Sequence, residues 1–103
     1  MIRCLQCGKE LGGERVDGSV PYISASIIGD EYTESYYLCP DCRVYTVEIY
    51  RDRFSGEDTI SLAGPISESE GRAKIEIIKQ CPEPWNKQCR CKAHRSYFGK
   101  WLD

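Results

Sequence analysis

Apolar and polar residues alternate over "SVPYISASII" (19–28), which places Ile23, Ala25 and Ile27 on one face and predicts a β-strand. "GDE" at 29–31 supplies a turn, and "YTESYYL" (32–38) returns as a second strand into the cysteine pair of "CPDC". "RVYTVEIY" (43–50), rich in β-branched and aromatic residues, reads as a third strand. "SGED" at 55–58 turns the chain into a short fourth strand, "TISLA". The pattern then changes period. Ser67 and Glu70 have the spacing of a capping box, and Ala73, Ile77 and Cys81 recur at helical intervals, so residues 68–80 read as a helix, with "KIEII" also compatible with a strand. Pro82 and Pro84 end that segment. In the tail, His94, Tyr97, Phe98 and Trp101 follow the i, i+3, i+4, i+7 spacing of one helical face, interrupted by Gly99. The predicted fold is small α+β: an antiparallel sheet of three to four strands with one or two helices in the C-terminal part. It is read as a single domain over 1–103, with a β part over 1–66 and a helical part over 67–103.

Composition changes this picture in one respect. The 103 residues are 41% hydrophobic, but seven of these residues are cysteines, so the remaining core formers make a modest interior that cross-links or metals would reinforce. No apolar run reaches the roughly 20 residues a membrane-spanning helix needs. "MIRCLQCGKE" lacks the apolar stretch of a secretory signal. These observations predict a cytoplasmic protein without membrane contact, in a compartment where thiols stay reduced. Seven cysteines are an odd number for a disulfide framework, but together with the single histidine they make eight donors, enough for two tetrahedral sites.

The donors fall into two groups. Cys4 and Cys7 form one CxxC and Cys39 and Cys42 another, with the predicted hairpin between them. Each CxxC can fold into a tight knuckle that turns both sulfurs toward one ion. Gly8 suits the turn after Cys7, and Pro40 fixes φ inside the second knuckle. Residues 4–42 resemble the zinc ribbons and related treble-clef zinc fingers, whose knuckles read CxxCG and CPxC. That resemblance implies a zinc ion held by Cys4, Cys7, Cys39 and Cys42, and says little of function, since the family includes nucleic-acid binders, protein adaptors and purely structural modules. Arg43 stands where many such knuckles carry glycine. Rubredoxins share the ligand pattern with a redox iron, but Arg43 and the absence of a compact aromatic core favour zinc.

The second group is Cys81, Cys89, Cys91 and His94. Cysteines 89 and 91 would share a face on a strand, and in a loop a CxC can also wrap an ion. Cys81 sits at the predicted helix end and His94 at the start of the aromatic tail, so one zinc would clip two helices and the intervening loop. "CKAH" is not the CxxCH of c-type haem, and the Asp-Gly-Ser insertion of the CDGSH iron–sulfur family is absent. The cofactor expected is therefore two zinc ions per chain, each with four protein ligands and no open position for catalysis. No phosphate-binding glycine loop or nucleophile elbow appears, which predicts a protein that is not an enzyme.

Charge bears on partners. Residues 1–71 hold six basic and thirteen acidic side chains, and residues 72–103 hold eight and three, for a formal net charge of −2. With both zincs bound by thiolates the total falls to roughly −5. The basic residues Arg72, Lys74, Lys79, Lys87, Arg90, Lys92, Arg95 and Lys100 are interleaved with Trp85, Tyr97, Phe98 and Trp101, a pattern that suits single-stranded nucleic acid, yet the acidic first half disfavours it. A protein partner is favoured, engaged by the Trp85 loop or by the tyrosines of the sheet (Tyr32, Tyr36, Tyr37, Tyr45, Tyr50). For those tyrosines, cross-strand packing is the more economical explanation.

Overall fold

A computed structural model describes residues 2–11, 20–27, 29–53 and 56–99. The main sheet has four antiparallel strands in sequential order: β3 (Tyr22–Ile27), β4 (Asp30–Cys39), β5 (Val44–Asp52) and β6 (Thr59–Ser67). Two short strands, β1 (Ile2–Arg3) and β2 (Glu10–Leu11), pair with each other around the first CxxC. Helix α1 spans Glu68–Lys79 and α2 spans Lys92–Phe98. The architecture is therefore the α+β fold expected, with the fourth strand present, two helices formed and a two-stranded sheet in addition. Among the described residues no helix is long and apolar enough to cross a membrane.

Several boundaries differ from the sequence pattern for identifiable reasons. The hairpin turn is tighter than expected: Ile27 already pairs with Asp30. Gly29 reaches φ +83°, a region glycine enters freely, so the chain reverses before Asp30. Strand β5 starts at Val44 because Arg43 lies at φ +58°, outside the extended region. Strand β6 runs past Ala63 to Ser67; its pairing with β5 shifts by one residue between Tyr45 and Val47, opposite the Gly64–Pro65 segment. Proline and irregular pairing are tolerated there because β6 is an edge strand.

Residues 68–79 are helical, which settles the helix-or-strand alternative. The Ser67 hydroxyl accepts from the Glu70 N–H as an N-cap, and Glu68 and Glu70 place acid in the first turn. The buried stripe, however, is Gly71, Ile75 and Ile78. Of the expected stripe of Ala73, Ile77 and Cys81, Ala73 is exposed, Ile77 only half-buried, and Cys81 is buried but lies past the helix end. Gly71 sets this phase, because a Cβ there would lie 2.1 Å from Cδ2 of Tyr45, so only glycine lets the helix come this close to the ring.

Two cores result. Helices α1 and α2 cover one sheet face, where Ile23, Ala25, Tyr36, Tyr45 and Val47 meet Ile75, Ile78 and Phe98. Ile23 and Ala25 do lie on the predicted face. Tyr36 donates to the Tyr97 hydroxyl (2.5 Å), which donates in turn to Glu34 Oε1 (2.5 Å). A smaller core on the other face holds Ile2, Cys4, Leu11, Tyr37 and Cys39. Tyr36, Tyr37 and Tyr45 are buried and Tyr32 and Tyr50 half-buried, so the sheet tyrosines pack as expected.

Candidate metal centres

The eight predicted donors come together in two groups of four, Cys4–Cys7–Cys39–Cys42 and Cys81–Cys89–Cys91–His94, with the candidate ligand atoms of each group within 4.8 Å of one another. Either group could hold a metal ion. All seven cysteines are free thiols rather than disulfides.

In the first group, the Cys4 knuckle is closed by Gly8 N–H to Cys4 O (2.9 Å) and Cys4 N–H to Lys9 O (2.8 Å), with Gly8 at φ +82°. The β1–β2 pair brackets it, and Leu5 N–H donates to Thr46 Oγ1 (3.2 Å), seating the knuckle on the sheet. The second knuckle ends β4 and begins β5, and Arg43 N–H donates to Cys39 O (2.9 Å). Arg43 occupies the left-handed conformation that glycine usually takes here, a cost of about 1–2 kcal/mol. Its guanidinium pairs with Glu68 at the start of α1 (2.5 Å). Lys9 and Asp41 join the two knuckles at their rim (3.0 Å). Cys7 Sγ and Cys39 Sγ lie 3.7 Å apart. Four sulfurs at the zinc–thiolate distance on a tetrahedron would be separated by about 3.8 Å.

The thiols of this group do not share one acidity. Cys4 is drawn down to about 7, chiefly by the backbone N–H of Cys7 against the opposing effect of burial. Cys42 is pushed up to about 12, chiefly because its thiol is hydrogen-bonded to Cys7. Neighbouring thiolates repel, and a divalent cation among the four sulfurs would offset that repulsion.

The second group is built by chain segments on both sides of a loop. Cys81 follows the α1 C-cap Gln80, Cys89 lies in the loop, and Cys91 is the N-cap of α2, its sulfur accepting from His94 N–H (3.4 Å). Cys81 Sγ lies 3.8 Å from Cys89 Sγ and 3.5 Å from Cys91 Sγ, and His94 Nδ1 lies 3.0 and 3.6 Å from Cys81 and Cys91. A tetrahedral set of three sulfurs and one nitrogen has sulfur–sulfur and sulfur–nitrogen edges of about 3.8 and 3.6 Å; the spacings are near these except between Cys81 and His94, which lie closer. Burial pushes Cys81 up to about 12. Cys91 is also desolvated, but the backbone N–H of His94, donating to its sulfur, opposes that and helps draw it below the ordinary thiol value.

His94 is fully buried, and its Nε2 lies 2.9 Å from the backbone oxygen of Ser24. A carbonyl only accepts, so Nε2 carries the hydrogen and Nδ1 presents its lone pair to the three sulfurs. This is the arrangement of a metal-ligating histidine oriented by a backbone carbonyl. The loop itself extends the sheet: Ser24 N–H donates to Pro84 O (2.8 Å) and Ser26 N–H to Lys87 O (3.2 Å). The second group is thus fastened to the outer edge of β3. Ser24 had no signature in the sequence, since its part is played by the main chain.

Trp101, expected on the His94 face, lies outside the described residues. His94, Tyr97 and Phe98 do share that face, with His94 stacked on Phe98 at 6.1 Å between ring centroids and Gly99 (φ +69°) capping the helix. Compared with family models, curated proteins and solved structures, the chain matches none.

Proposed function

We propose that this protein is a structural zinc protein, with one Zn2+ on Cys4, Cys7, Cys39 and Cys42 in zinc-ribbon-like knuckles and a second on Cys81, Cys89, Cys91 and His94, and that it acts as a protein-interaction or regulatory module rather than an enzyme. The observation that carries this is the donor count. Each group offers four soft or borderline donors at tetrahedral spacing, which closes the coordination sphere against water or substrate. Each ion would join separate segments: the two knuckles in one case, α1, α2 and the β3 edge in the other.

The interaction surface best supported is the loop of the second centre. Trp85 is 58% exposed there, and Val20, Pro21, Tyr22, Ile78 and Pro84 line a neighbouring apolar depression. Four of the eight basic residues that would serve a nucleic-acid binder are engaged within the chain: Arg72, Lys79 and Lys87 pair with Glu68, Glu76 and Glu31, and Arg90 donates to the Lys87 and Cys89 carbonyls. Elemental analysis of protein purified without added metal tests the metal assignment. Two zinc atoms per chain are expected; one iron per chain with visible thiolate absorption would replace the assignment at the first centre by rubredoxin-like electron transfer.

A further inference from the structure

The two edges of the main sheet are treated differently. The outer edge of β3 is covered by the Pro84–Lys87 loop and by His94. The outer edge of β6 has no backbone hydrogen-bond partner among the described residues, and Thr59 to Leu62 are exposed. An exposed edge strand is a template for pairing, which proteins ordinarily blunt with charges, proline or bulges. In β6, Gly64, Pro65 and the register shift interrupt the edge at one end, but "TISLA" (59–63) before them is regular and carries no charge. Its register with β5 sets Ile60 beside Tyr50 and Leu62 beside Glu48, on the face away from the helices. Ile60 is 63% exposed and Leu62 42%, and these are two of the four large apolar side chains exposed among the described residues. A third, Leu5, lies on the same face beside Gly64.

We propose that the Thr59–Ala63 edge pairs antiparallel with the same edge of a second copy of this chain, in a register centred on Ser61, to form a continuous eight-stranded sheet. The occupant follows from self-complementarity. With Ser61 opposite Ser61, Ile60 of each copy faces Leu62 of the other, so four exposed apolar side chains meet on one face. The acidic Glu57 and Asp58 then come level with Pro65 and Gly64 of the second copy, so no like charges are opposed. Shifting the pairing by two residues toward the strand start would set Asp58 against Leu62, and a one-residue slip would bring Ile60 beside Ser61. Five paired residues make a small interface, which corresponds to a reversible dimer with Kd on the order of 10–100 μM rather than an obligate one. The dimer is independent of which metal the two centres hold, since β6 supplies no donor to either.

The test is sedimentation equilibrium of the metal-loaded full chain over a concentration series that brackets this range, with wild type, Ile60→Glu, Leu62→Lys and the double variant carrying both. Both sites are exposed, so the variants are expected to fold; dispersed two-dimensional NMR spectra verify this. Wild type should dimerise, and each single variant should weaken the dimer by about tenfold or more, because it sets one charge against an apolar side chain across the interface. In the double variant, residue 60 of each copy faces residue 62 of the other with opposite charge, so association should recover. A wild type that stays monomeric throughout overturns the proposal, and with it leaves the edge to a strand from some other protein. Single variants that dimerise like wild type, or a double variant that fails to recover, overturn it equally, because the Ser61-centred register demands both effects.

Discussion

Replacing His94 separates its proposed role as a metal donor from its observed bond to the sheet. His94→Ala removes the Nε2–H···O bond to Ser24 and leaves a buried carbonyl without its donor, which costs about 1–3 kcal/mol. It also empties the space of a fully buried ring stacked on Phe98, a loss of about 2–4 kcal/mol by comparison with other large-to-alanine changes in cores. Together these approach half of the roughly 5–15 kcal/mol that stabilises a domain of this kind. The same change reduces the second centre from four donors to three. Affinity there should fall by well over the roughly 10–100-fold that even an outer-shell partner of a metal site is worth. His94→Cys restores a fourth donor but neither the Ser24 bond nor the full volume of the buried ring, so it should hold metal yet remain less stable than wild type by at least about 1–3 kcal/mol. Zinc competition with a chromogenic chelator, alongside urea unfolding, measures both quantities. Expected are two tightly held zincs for wild type and His94→Cys, and one for His94→Ala, whose β4 and β5 amides stay dispersed in two-dimensional NMR. An alanine variant that keeps two tight zincs and unfolds within about 1 kcal/mol of wild type would remove His94 from the second centre.

Three further outcomes follow from the packing. Gly71→Ala gains about 1 kcal/mol of helix propensity but drives a methyl into the buried Tyr45 ring, with an overpacking cost of about 1–3 kcal/mol at the least. A lowered Tm in thermal unfolding is expected, and a raised one would contradict the close approach. Burial pushes the Tyr97 hydroxyl well above the ordinary tyrosine range, and Tyr36 upward for the same reason. The unfolded chain ionises these groups near pH 10 while the folded chain resists, so their contribution is complete below pH 10 and lost as pH rises beyond it. Unfolding titrations should show a steep alkaline decline that is flatter in Tyr97→Phe; an unchanged slope would argue against burial of that hydroxyl. Cys39 is fully buried in the second core whereas Cys89 is half-exposed in a loop. Cys39→Ser should therefore collapse NMR dispersion across β4 and β5, and Cys89→Ser should perturb mainly residues 81–99; equal losses would refute unequal roles.

The parts of the fold that were legible in the sequence are those that side chains encode. Alternation in 22–27 and the β-branched and aromatic residues of 43–50 marked the sheet, Ser67 and Glu70 marked the start of α1, and the cysteine spacings marked both donor groups. What escaped was specified by backbone or by absence of a side chain. Strands β1 and β2 are two residues long each, too short for any period. The phase of α1 was misplaced because Gly71, which contributes nothing to an apolar pattern, is the residue that lets the helix approach Tyr45. The Pro84–Lys87 loop joins β3 through main-chain bonds, and His94 finds its orienting partner in a main-chain oxygen, neither of which leaves a residue signature. Arg43 is an intermediate case. The missing glycine marked the position as unusual, and the left-handed φ with the Glu68 ion pair shows how an arginine occupies it.

Whether the eight side chains hold two structural zinc ions, as proposed, is decided by native mass spectrometry of the purified chain before and after stripping with acid and chelator. A mass increment of two zinc ions per chain is expected, accompanied by displacement of the thiol protons, with loss of folded charge-state distributions when both are removed. A chain that carries one zinc or none while its spectrum remains that of a folded protein would contradict it.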